Sequence, residues 1–289
     1  MPRHQQTKPR LPRIALVTGL VFVAMGCAAG GSRADPEDLS EFATAGEIVW
    51  AGNTLAFKQG GTPGKPLVIF IHGTPGTWHA FESYLRNSEL REQVHMIAID
   101  RLGFGASSAS GVQDDFARHS AAIAELFQFN QSAQPITVVG HSLGGTLALQ
   151  VAVDHPQQVG AFLSISAALS PELSNPRWYH RLADLPLIKQ IIPNDLHLAN
   201  EEMLILKQGL ENIAPQMRSF SGKVGIIQGG KDPLVNAGHA DFAEAQLVNA
   251  DVMVHRFPQR GHFIVWEQQD FVVAEILRLV HGPAETETN

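Results

Sequence analysis

Eight short β-rich runs alternating with helical patterns predict an α/β fold: a mostly parallel sheet of eight strands, flanked by helices, with a small helical cap inserted after strand 6. Three observations carry this expectation. The runs at 67–71, 95–99, 136–139, 162–166, 224–228 and 252–257 read as strands buried on both faces, because their apolar residues run on without regular polar alternation. Helical patterns fall between strands, as crossover connections require. The interval 170–221 breaks the alternation, with no convincing strand and with Pro171, Pro176, Pro186, Pro193 and Pro215 among short amphipathic segments.

Taken in order, the chain opens on a segment that belongs to no core. Arg3, Lys8, Arg10 and Arg13 precede an apolar run at 14–25, the layout of a secretory signal over 1–26. Twelve helical residues span only about 18 Å, short of the roughly 30 Å hydrocarbon core of a bilayer, so export and cleavage are expected rather than a permanent span. Ala24-Met25-Gly26-Cys27 resembles a bacterial lipobox, which implies acylation of Cys27, the sole cysteine, and a lipid anchor to a membrane of the cell envelope. A lipidated Cys27 leaves no thiol for a disulfide or a nucleophile. Without 1–26, 17 basic residues face 28 acidic ones, a net charge of −11 that argues against nucleic acid or an anionic surface as partner. Residues 27–41 have a linker's composition, 42–282 form the expected domain, and 283–289 read as a polar tail.

Strands at 47–50 and 54–58 flank Gly52-Asn53, a turn signal, and are expected to form an antiparallel hairpin at the sheet edge. Helices are expected at 79–86, 114–129, 143–155, 237–247 and 268–281. In the cap, Trp178, Tyr179, Leu182, Leu185, Leu187, Ile188, Ile191 and Ile192 give an apolar face, of which only part can line a pocket.

Chemistry is concentrated where strands end. Gly140-His141-Ser142-Leu143-Gly144 follows an apolar strand and opens a helix, the pattern of a nucleophile elbow that would present Ser142. Acyl transfer also needs a base, a carboxylate to orient it and donors for the oxyanion. His262, in Gly261-His262-Phe263, follows the eighth strand, and Asp232, in Gly230-Lys231-Asp232-Pro233, follows the seventh. Glu172 after the sixth strand is a weaker candidate acid. His72-Gly73-Thr74-Pro75-Gly76 follows the third strand, so the N–H of Thr74 could join that of Leu143 in an oxyanion hole, Pro75 having none to give. His72 is expected to pack beneath its loop, Asp100 to order its glycine-rich turn, and His141 only to fill the variable position of the elbow. No metal-ligand spacing is present among the thirteen histidines.

Together with Asp100-Arg101-Leu102-Gly103-Phe104-Gly105-Ala106-Ser107, these segments resemble the α/β-hydrolase superfamily over about 67–280, with Leu102 departing from the proline usual there. The resemblance implies the order Ser142, Asp232, His262 for a triad, no cofactor, and a small ester or acyl substrate, and the apolar face of the cap implies that this substrate has an apolar part. Serine at the elbow disfavours the aspartate-using branches, haloalkane dehalogenases and epoxide hydrolases. Thioesterase, lipase, perhydrolase and carbon–carbon hydrolase chemistry share the same triad, and a non-catalytic binding lipoprotein remains a separate class.

Overall fold

The computed structural model describes residues 42–108 and 115–282. The expected signal, Cys27, the linker, the start of the 114–129 helix and the polar tail lie outside these residues. Eight strands form one sheet: β1 (Ala43–Trp50), β2 (Asn53–Gly61), β3 (Leu67–Ile71), β4 (His95–Ile99), β5 (Ile136–His141), β6 (Val159–Ile165), β7 (Lys223–Gly229) and β8 (Asp251–Phe257). Their order is β1-β2-β4-β3-β5-β6-β7-β8, antiparallel at β1, β2 and β4 and parallel from β4 onward.

The hairpin turn sits one residue earlier than expected. Ala51 and Gly52 take its two positive-φ positions, at 48° and 77°, and Asn53 already pairs with Trp50. Asn53 contributes from the strand, donating from Nδ2 to Ala51 O at 3.2 Å. The pattern Asn-Gly thus occurs in reverse, with the glycine still where φ must be positive.

The short parallel strands at the centre are fully buried, and their side chains alternate between two cores. Leu67, Ile69 and Ile71 face one cluster while Val68 and Phe70 face the other. The first cluster contains α3 (Phe116–Ala124) and α4 (Leu143–Asp154); the second contains α1 (Glu82–Arg86), α2 (Ser88–Gln93) and α10 (Gln269–His281). Helix α2, absent from the sequence expectation, is capped at its N-terminus by Asn87, whose side chain accepts from Leu90 N at 2.9 Å. Strand β8 corrects another expectation: it is the sheet edge, half-exposed along its length, not buried on both faces. Its His255 and Arg256 are edge residues in keeping with that position.

After β6 the chain forms α5 (Trp178–Ala183), α6 (Pro186–Lys189), α7 (Asn194–Ile213) and a 3₁₀ turn, Ala214–Ser219, before returning to β7. Leu206, Leu210 and Ile213 seat α7 on the first core. Burying each such side chain contributes about 1.5–3 kcal/mol. The remaining helices are α8 (Gly238–Gln246) and α9 (Ile264–Glu267). Among the described residues no helix is long and apolar enough to cross a membrane.

Candidate active site

The β5-to-α4 turn forces Ser142 to φ 54° and ψ −126°, a conformation L-residues rarely adopt. Such a turn exists only because the backbones on either side can touch. A Cβ on Gly140 would lie 2.0 Å from Gly144 O, and one on Gly144 would lie 2.0 Å from Ile71 O. Ser142 is half-buried, and Leu143, as the first residue of α4, keeps an N–H that the helix cannot use.

Asp232 and His262 come from two loops zipped together beyond β7 and β8. Gly230 N donates to Phe257 O, and Lys231 N to Arg260 O, each at 2.9 Å. Asp232 Oδ2 then accepts from His262 Nδ1 at 2.8 Å, with its side chain wholly buried. Its other oxygen accepts from Leu234 N and Val235 N at 2.8 and 2.9 Å. Burial pushes this carboxyl up, but the bond and charge of His262 and the two amides outweigh it and hold the group below the usual carboxylate range. Glu172 has a different partner, the hydroxyl of Ser170.

Ser142 Oγ has no hydrogen-bond partner among the described residues, His262 included. The link between the elbow and the histidine loop is made by His141, whose Nε2 donates to His262 O at 3.0 Å. Burial and the neighbouring His262 lower His141 to about 3, so it is a neutral donor. Its ring packs 4.9 Å from His262 and 5.1 Å from Trp266. His141 therefore does more than fill a variable position. No local sequence signal marks this role, because its partner is 121 residues away.

The 72–76 loop lies beside the elbow: a Cβ on Gly73 would be 3.0 Å from Ser142 Cβ. His72 is buried beneath it, its Nδ1 donating to Gly73 O at 2.7 Å and its Nε2 accepting from Arg101 N at 3.0 Å. Asp100 orders its turn by accepting from Trp78 N and Ala106 N, both at 2.8 Å. Among the described residues no cluster of histidine, cysteine, aspartate and glutamate is placed to hold a metal ion.

Residues 66–208 match the family model described as the alpha/beta hydrolase fold. Mouse epoxide hydrolase 4 is 27% identical over 118 residues, 40% of this chain and 32% of that protein. The dihydrolipoyllysine-residue acetyltransferase component of the acetoin cleaving system from Cupriavidus necator is 28% identical over 242 residues, 73% of this chain and 62% of that one. This chain thus spans less than two thirds of the length of these curated relatives. Among solved structures, a carboxylesterase from Bacillus subtilis superposes with a TM-score of 0.61 at 16% identity, over 86% of this chain and 96% of its own.

Proposed function

Because the chain has the α/β-hydrolase fold, we propose that it is a serine hydrolase that cleaves carboxylic esters through an acyl-enzyme. The observations that carry this reading are the 2.8 Å Asp232–His262 pair, tied through His141 to the elbow, and the strained backbone that holds Ser142 in that elbow. In the proposed course Ser142 Oγ attacks the acyl carbon as His262 Nε2 takes its proton. Asp232 stays ionised, holds the Nδ1–H and steadies the imidazolium. The N–H groups of Leu143 and Thr74 receive the oxyanion. His262 then protonates the departing alcohol, and a water that it activates releases the acid. The nucleophile–base bond commonly tightens only as substrate binds, which accords with the unbonded Ser142 hydroxyl.

One curated relative is named as an epoxide hydrolase. Serine at the elbow favours an acyl carbon instead, because an ester formed on serine can be released by water under the same base. An apolar acyl or alcohol part is proposed from the cap, where Trp178, Leu182 and Leu185 are exposed. The test is covalent labelling by a fluorophosphonate together with turnover of short p-nitrophenyl esters. Ser142→Ala is expected to abolish labelling and to lower kcat by about 10⁶-fold. A folded wild-type protein that is neither labelled nor active would refute the reading.

A further inference from the structure

Beneath the 72–76 loop lies a buried charge pair that the proposed chemistry does not use. Arg101, just past β4, has no exposed surface, and Glu202, in the middle of α7, is 2% exposed. The guanidinium donates from Nη1 to Glu202 Oε1 and from Nη2 to Oε2, the latter at 3.2 Å. Its face rests on Phe104, with Cζ 4.6 Å from the ring centre. The pair joins the cap to the sheet across 101 residues of chain. Two apolar residues of the same volume would hold these elements as well or better, because desolvating two charges offsets most of their attraction. Stability alone therefore gives no reason for an ion pair here.

A third contact supplies one. Arg101 Nη2 also donates to Gly73 O at 3.0 Å, on the same carbonyl oxygen that His72 Nδ1 reaches at 2.7 Å. Burial and the charge of Arg101 keep His72 neutral, and the Arg101 N–H on Nε2 fixes the proton on Nδ1. The Gly73–Thr74 peptide is trans, so the Thr74 N–H points opposite to the Gly73 carbonyl. Drawing that oxygen into the buried charge turns the N–H the other way. Rotating the peptide would forfeit both bonds and present a carbonyl oxygen where a donor is required.

We propose that Arg101 is a positioning residue: clamped by Glu202 of the cap, it fixes the Gly73–Thr74 peptide so that Thr74 N–H can serve the oxyanion, making the hole depend on a seated cap. This rests on the serine-hydrolase reading above. A lysine in place of Arg101 is not equivalent, since one ammonium lacks the planar fork that spans Glu202 and Gly73 O together.

The test compares Arg101→Lys and the double variant Arg101→Met/Glu202→Leu with wild type, reading Tm, Ser142 labelling by a fluorophosphonate, and kcat and KM on a short p-nitrophenyl ester. The double variant is expected to keep a Tm close to wild type, because the charges leave together. Its kcat should nevertheless fall about tenfold or more, short of the roughly 100- to 1,000-fold cost of losing an oxyanion donor outright, with KM little changed. Arg101→Lys should show the same split, and it decides the matter if the double variant does not fold. Wild-type kcat in a folded variant, or a change confined to KM, would overturn the proposal. Wild-type protein that is not labelled at Ser142 would remove the parent reading and this inference with it; labelled wild type with unimpaired variants would sink this inference alone.

Discussion

Around Ser142 the backbone segments are packed too closely for an added side chain, whereas much of the cap stands in solvent. Added Cβ atoms on Gly140 and Gly144 would each come within 2.0 Å of a backbone oxygen, and the Asp232 and His262 loops are tied to each other by main-chain bonds. In α5, α6 and the turn after them, Trp178, Leu187 and Ile191 are 63%, 79% and 76% exposed. The cap is seated on the first core by Leu206, Leu210 and Ile213 of α7 and joined to the sheet by polar contacts, among them Arg177 Nη2 to Pro233 O at 2.8 Å and the Arg101–Glu202 pair. The contrast separates two environments: the proposed catalytic groups sit on closely packed strand ends, and the apolar surface proposed to meet substrate sits on the exposed part of the insert.

The hardest challenge to this contrast alters the rigid half without altering its shape. Asp232→Asn keeps the volume and can still accept from Leu234 N and Val235 N. In the proposed course it loses the charge that would steady the imidazolium and permits the wrong histidine tautomer, so kcat should fall by about 10⁴-fold with the fold intact. Steady-state kinetics and Tm on the purified variant check this. A loss below about tenfold would mean that the Asp232–His262 pair is structural.

The rigid half is legible in sequence where constraint is local. A serine between glycines after an apolar run marks the elbow, and strand ends locate Asp232 and His262, which the structure joins at 2.8 Å. His141 and the Arg101–Glu202 pair are not legible, because their partners lie 121 and 101 residues away and no spacing rule links them. Strand β8 misleads for a similar reason: edge position follows from sheet order, which its own residues encode only through His255 and Arg256.

Acid offers a second, milder perturbation of the same half. Burial lowers His119 and His141 to about 3 and His239 to about 4. His239 accepts from Leu169 N and Ser170 N at 3.1 and 2.9 Å, a role open only to a neutral nitrogen. An unfolded histidine titrates near about 6.5, so below that value the unfolded chain binds more protons than the folded one. The stability these rings contribute is complete above about pH 6.5 and is lost as pH falls toward their folded values. Each is worth about 1–2 kcal/mol between roughly pH 7 and 5. At about 2–4 °C per kcal/mol for a domain of this size, Tm should drop by roughly 10 °C across that window. A Tm that stays level in a pH series would show that these rings are not held neutral by packing.

Least change is expected where the cap is most exposed, and there the other half of the contrast is at stake. Leu187→Ser and Ile191→Ser remove apolar surface that no buried neighbour covers, so each should change stability by no more than about 0.5 kcal/mol. Neither side chain carries a polar atom, so the bonds that hold Asp232 and His262 do not depend on it, and kcat on a short ester should stay at the wild-type value. If this apolar surface meets substrate, KM should rise for long-chain esters and not for short ones, since each buried methylene is worth about 0.8 kcal/mol. Comparing kcat/KM across a chain-length series in both variants measures that slope directly. An unchanged slope would confine substrate recognition to the rigid half and leave the exposed cap surface without a part in specificity.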